Sequence, residues 1–308
     1  MDVWPKPRVE PARIAAFLRE TFGEVSALSP LAEGEDSQVF RFDLEGRSLV
    51  VRLNWTQSGF RKDAYAAQHF ASRAIPVPPV VRIGEMPDGP FYCVSEFVAA
   101  PTFQDLDPST IRATLPAVLA LQQAIRRVDV KPDAGFGTFD VTGRAAFRSW
   151  PEWLLHHTEG PGFDWGPAMQ SGLVPEPLLR AAFLAFRHLV DLVPNEHTLY
   201  HGDFGSNNLL VRDARIAAVL DWDEAGYGDW LLDVAGACYW RRHLPAMDQA
   251  ARYYDERLGN LPGYRTRILC YQFRAALVEI YAQWRRRSRW LPWHVARLEE
   301  LVRAHRDR

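Results

Sequence analysis

The chain has 308 residues, 47% of them hydrophobic and 24% charged, with a formal net charge of −2. That is enough to bury one large core or two smaller ones. The near-neutral balance argues against general attraction to nucleic acid or an anionic membrane. No run reaches the roughly 18 apolar residues of a membrane helix.

The opening residues lack the unbroken apolar run and small-residue cleavage site of a signal peptide. Instead Ile14, Phe17, Leu18 and Phe22 follow Pro11 at helical spacing, which predicts an amphipathic helix of the mature fold. Val39, Phe40 and Phe42, then Leu49, Val50, Val51 and Leu53, predict two strands, with Glu45 and Gly46 as the hairpin turn between them. A helix is expected over residues 62–73, ending before an extended Pro-rich segment at 75–79. Another strand is expected over 91–97.

After Ala99 the pattern becomes helical. Leu115, Val118, Leu119, Gln122 and Ile125 mark one helix face, and Leu178, Leu179, Ala182, Phe183, Phe186 and Val190 another. The aromatic residues 136–172 between them show no period; Trp150, Trp153 and Trp165 there read as core or as flat walls for sugar rings. Short apolar runs at 208–211 and 216–220 predict a hairpin, and the chain from Asp229 onward is mostly helical. The reading is a small sheet-rich lobe and a larger helical lobe joined near residues 95–101. Cys93, Cys238 and Cys270 have neither metal nor redox spacing and read as buried thiols in a reducing cytoplasm. His156 and His157 have no ligand partner at suitable spacing and read as surface or loop residues.

The chemistry concentrates in His201-Gly202-Asp203, Asn208 and the later Asp221-Trp222-Asp223. Phosphoryl transfer needs a positioned hydroxyl, metal to neutralise phosphate charge, and a carboxylate beside the hydroxyl. Asp203 suits the last role; the Asn208 side-chain oxygen and the Asp221 carboxylate are hard ligands suited to Mg²⁺. From Asp203 to Asp233 inclusive there are seven acidic and two basic residues. Such a cluster attracts an amine-rich acceptor, and Asp223 and Glu224 are the candidate ammonium contacts. They read equally well as solvated or loop-fixing charges.

This pattern resembles the aminoglycoside phosphotransferase family, relatives of the protein kinases. Residues 31–37, Lys62-Asp63, 69–72, 203–208, 135–137 and Asp221-Trp222 are similar to its hygromycin-phosphorylating branch. The resemblance implies a bilobal, protein-kinase-like α+β fold, with residues 1–98 as nucleotide-binding lobe and 99–308 as catalytic and substrate-binding lobe. It implies a phosphoryl donor, ATP or GTP, with Mg²⁺, and a cationic acceptor such as hygromycin B or a related aminocyclitol. Gly34 to Ser37 matches the phosphate-covering turn. Arg52 stands where the family usually has a Lys reaching the phosphates, with Asp63 as its acidic partner. Ser95 and Phe97 match the hinge that holds the base edge. Asp203 matches the catalytic base, and Asn208 and Asp221 the metal ligands. His201 is expected to brace the loop, and Asp229 and Asp233 to be structural. A cytoplasmic monomer is expected. The same parts serve a kinase for choline, a sugar or an amino alcohol, and an inactive nucleotide-binding scaffold remains a third reading.

Overall fold

The computed structural model describes residues 6–34, 36–87 and 89–306. Helix α1 (Pro11–Phe22) precedes five antiparallel strands: β1 (Val25–Pro30), β2 (Gln38–Leu44), β3 (Arg47–Asn54), β4 (Val80–Glu85) and β5 (Phe91–Glu96). They form one sheet in the order β1-β2-β3-β5-β4. The hairpin turn between β2 and β3 is the predicted one, because Glu45 and Gly46 both have positive φ, +50° and +77°. That pair of left-handed residues matches the twist of the flanking strands. Alternation along β3 buries Leu49, Val51 and Leu53 against Ile14 and Leu18 of α1. The same period of two turns Arg52 to the opposite face.

Helix α2 (Ser58–His69) connects β3 to β4 and ends four residues before the predicted limit. Ile75 precedes a proline, which disfavours helical backbone, and Ser72 accepts from the Ile75 amide through its own hydroxyl. The chain therefore turns at Ser72–Ile75, and Phe70, Ile75 and Val77 drop into the large core. By packing, the end of α2 belongs with the C-terminal part of the molecule.

That part contains α3 (Pro108–Arg126), β6 (Phe136–Phe139), β7 (Ala145–Phe147), α4 (Trp150–Glu159), α5 (Gly166–Gln170), α6 (Glu176–Val190) and β8 (Thr198–Tyr200). It continues with β9 (Leu209–Arg212), β10 (Arg215–Val219), β11 (Gly226–Gly228), α7 (Leu231–Trp240), α8 (Pro245–Leu258), α9 (Tyr264–Arg285) and α10 (Leu291–Arg306). Strands β9 and β10 form the predicted hairpin. The sheet β7-β6-β11-β8, whose strands have only three or four residues, was not predicted. The segment after β5 is tied to the hairpin: Val211 donates to Pro101 O at 3.0 Å, and Arg212 Nη2 to Ala99 O at 2.7 Å.

Residues 136–172 resolve into β6, β7, α4 and α5, and their tryptophans are core. Trp150, Trp153 and Trp165 are nearly inaccessible. Trp150 and Trp153 stack with centroids 4.6 Å apart, and Arg274 covers Trp153 at 4.5 Å. With their faces already covered, they offer no flat wall for a sugar ring. The three cysteines are buried and free, as expected.

Candidate active site

The site is built around the turn after β8. Asp233, near the start of α7, accepts from the amides of His201 and Gly202, both at 2.8 Å. Burial pushes its carboxyl up to about 7, while those two bonds pull the other way. Gly202 has φ +86°, and a Cβ there would stand 2.1 Å from the Glu224 carbonyl oxygen. Only glycine lets the two segments approach so closely. His201 is fully buried; its Nε2 lies 3.0 Å from Leu220 O, and burial lowers its pKa, so the neutral ring donates to that carbonyl. It braces the catalytic turn against the strand leading to Asp221, as the sequence suggested.

Asp203 is exposed, whereas Asn208 is buried beneath it. The Asn208 amide nitrogen donates to Asp203 O at 2.9 Å and to Asp203 Oδ2 at 2.8 Å. This commits the nitrogen and leaves Oδ1 as the free end of the group, touched only by Asn207 Nδ2 at 3.2 Å. Asp221 follows β10 with φ +63°. A non-glycine residue held there is strained, a condition that clusters at working sites. Although solvent reaches Asp221, the cleft walls crowd it. Desolvation first, then the Asp63, Asp203 and Asp223 carboxylates, push it up to about 7, against the pull of Arg52.

Asp63 ties the two halves of the cleft together. Its Oδ2 receives Arg52 Nη2 at 2.5 Å, and its Oδ1 receives the Trp222 amide at 2.8 Å. Burial opposes the Arg52 charge, but the Asp63 carboxylate holds the guanidinium protonated. The expected pairing of strand cation with helix carboxylate is therefore present, with Arg and Asp as the pair. The adjacent Lys62, buried over the Phe139 ring, places Nζ 3.3 Å from Asp223 Oδ1. Lys62 was not foreseen as a site residue, although Lys62-Asp63 is one of the stretches that carry the family resemblance.

Glu224 reaches solvent, yet crowding by the surrounding protein and the Asp223 carboxylate raise its pKa, against the pull of Lys62 and Arg274. Arg274 of α9 reaches the same region, bonding His157 Nδ1 at 3.1 Å. His157 is thus no surface residue: desolvation, then Arg274, lower its pKa to about 3. Sequence reading missed Arg274 because α9 lies some seventy residues beyond the catalytic turn (274 against 203) and carries no motif. Asp229 is structural, as expected. It is inaccessible, bridged twice by Arg267 (2.5 and 2.6 Å) and bonded by Tyr271 Oη at 2.5 Å.

The remaining candidates lie on the five-stranded sheet, outside this bonded network. Gly34 is exposed in the turn before β2, and Ser37 Oγ accepts from Asn54 Nδ2 at 3.2 Å. Ser95 lies in β5 opposite Val50. The Phe97 amide already donates to Ser48 O at 3.1 Å. This corrects the expectation that it is free to hold a base edge: the last rung of the β3–β5 ladder consumes it.

The model of the phosphotransferase enzyme family matches residues 27–270. The chain belongs to the phosphotransferase enzyme family. It is 36% identical over 279 residues to hygromycin-B 4-O-kinase of Escherichia coli, covering 90% of this chain and 80% of that one. A thermostable mutant of aminoglycoside phosphotransferase APH(4)-Ia, in ternary complex with AMP-PNP and hygromycin B, superposes with TM-score 0.88 at 35% identity, over 94% of this chain and 98% of that one. The GDP complex of an aminoglycoside 2'-phosphotransferase-IIIa mutant matches at TM-score 0.60 and 14% identity, over 95% and 97% of the chains, which speaks for the fold alone. This phosphotransferase is thus a kinase-like α+β enzyme that transfers a phosphoryl group to a hydroxyl.

The donors fit Mg²⁺. Among the described residues no group of three His, Cys, Asp or Glu is placed to hold a metal. One amide oxygen and one carboxylate suit a hard cation that keeps water and phosphate oxygens as its other ligands. The carboxylate crowding at Asp221 is relieved by a cation.

Proposed function

We propose that this phosphotransferase moves the γ-phosphoryl group of ATP or GTP to a hydroxyl of hygromycin B or a closely related aminocyclitol. The arrangement of Asp203 and Asn208 supports this reading best, because one amide fixes the base and presents a hard oxygen beside it. The acceptor hydroxyl binds at Asp203, whose carboxylate orients it and takes its proton as the new O–P bond forms and the bond from the γ-phosphorus to the β–γ bridging oxygen breaks, leaving ADP or GDP. Asn208 Oδ1 and Asp221 hold Mg²⁺, which neutralises phosphate charge when bound. Arg52, positioned by Asp63, faces the phosphates with a fixed guanidinium, and the turn from Gly34 to Ser37 covers them. Ser95 and the chain beyond Phe97 receive the base.

The acceptor ammonium groups meet Glu224 and Asp223; Lys62 Nζ stands 3.3 Å from Asp223, whereas Glu224 makes no such direct ion pair and feels Lys62 and Arg274 only through their fields. A phosphate on the antibiotic adds negative charge to a molecule that binds RNA through its positive charge, so modification confers resistance. Residues 1–98 act as the nucleotide lobe and 99–308 as the catalytic lobe, in a cytoplasmic monomer. No described helix is long and apolar enough to cross a membrane.

The test is mass spectrometry of hygromycin B and an aminoglycoside panel after incubation with protein, Mg²⁺ and ATP or GTP. One phosphate gained on hygromycin B is the expected result. No gain on any antibiotic, with transfer to choline or a sugar instead, would overturn the acceptor assignment while keeping the kinase chemistry.

A further inference from the structure

The turn over residues 31–37 carries a single glycine, and that glycine is not sterically required. Gly34 has no left-handed φ, and a Cβ on it would meet nothing within 4 Å. Strand contacts hold the two ends of the turn, Leu31 N donating to Val39 O at 3.0 Å and Asn54 Nδ2 to Ser37 Oγ at 3.2 Å, and the segment before α1 holds its middle. Val9 is buried in the small core, and the buried Gln38 side chain bonds both its amide (2.9 Å) and its carbonyl (3.0 Å). Beyond this anchor, Lys6 Nζ reaches Gly34 O at 2.7 Å and Glu33 Oε2 at 2.8 Å. The Lys6 side chain is only 15% exposed. Arg8 is 3.3 Å from the same carboxylate oxygen.

We propose that Lys6 is a positioning residue for the nucleotide, acting from outside the sheet on the phosphate-covering turn. The inference rests on the reading of that turn given above. Two physical effects follow from its contacts. A carbonyl bound to an ammonium is not free to turn toward phosphate oxygens, which it would repel. Glu33, unneutralised, would add a negative charge beside incoming phosphates, and Lys6 cancels it. Lys6 touches neither the reacting atoms nor the acceptor side.

The experiment compares wild type, K6M, E33Q and K6M/E33Q by steady-state kinetics and by Mg²⁺-dependent binding of a fluorescent ATP analogue. K6M is expected to raise KM for ATP and the analogue's Kd about three- to fivefold at low ionic strength, with kcat and the acceptor KM within about twofold. In the E33Q background the same substitution should cost less, because no carboxylate is left to neutralise. K6M with unchanged nucleotide affinity would overturn the inference. So would a uniform fall in kcat and both affinities together with melting temperature, which marks a merely structural role. Failure of the wild type to bind the analogue would instead overturn the nucleotide reading itself.

Discussion

Two acidic regions, both drawn from the chain between Asp203 and Asp233, have opposite fates. Asp229 is inaccessible yet fully compensated: two nitrogens of Arg267, one tyrosine hydroxyl and a backbone amide surround it. Asp221, open to solvent, stands among carboxylates in a left-handed backbone conformation, with its pKa raised to about 7. Burial alone does not distinguish a structural carboxylate from a working one. Compensation does: the carboxylate left short of positive charge is the one to which the proposed function assigns a cation.

The largest effect expected from this contrast is on turnover. D203N removes the base but keeps an oxygen for Asn208, so kcat should fall by about 10²–10⁴ with KM for ATP within about twofold. Full activity in D203N would remove Asp203 from the chemistry. On the compensated side, R267M leaves Asp229 buried without its charge partner, and chemical denaturation should show a loss of about 3–5 kcal/mol.

D221N sharpens the comparison because activity and stability should move apart. A carboxyl whose folded pKa is raised from 3.8 to about 7 binds more protons folded than unfolded. Its stabilising contribution is full below about pH 4 and is lost as pH rises through 7. At pH 8 D221N should abolish transfer yet melt roughly 1–3 °C higher in the absence of ligands, and asparagine also tolerates the left-handed backbone. The same pKa implies that Mg²⁺ competes with a proton below pH 7, so the wild-type Mg²⁺ requirement should rise as pH falls. A flat melting difference between pH 5 and 8 would contradict the crowding argument.

The smallest effect separates two neighbours. E224Q should raise the hygromycin B KM about three- to tenfold, whereas D223N, whose charge Lys62 already faces, should change it less than twofold. The reverse order would show that Lys62 moves away when the acceptor arrives.

Much of this enzyme was readable in the order of its residues. Glu45-Gly46 can hardly form anything but a tight hairpin turn, and alternation on β3 turns Arg52 away from the small core. The turn over residues 201–208 is local enough for its candidate residues to stand out together with Asp221-Trp222-Asp223, and the structure joins two of them, Asp203 and Asn208, by hydrogen bonds. The α2 limits were misplaced because Ser72 and Pro76 act on the backbone more strongly than the apolar period suggested. The short strands β6, β7, β8 and β11 carried too few residues for a period of two to register.

What only the tertiary structure decided are the partnerships between distant segments: Asp63 with the Trp222 amide, Lys62 with Asp223, Arg274 with His157, and Lys6 with Gly34. The sequence by itself determined which side chains carry charge and which backbone can turn. Whether a given charge is compensated depends on groups brought within a few ångströms by packing, and no spacing rule along one chain encodes that distance.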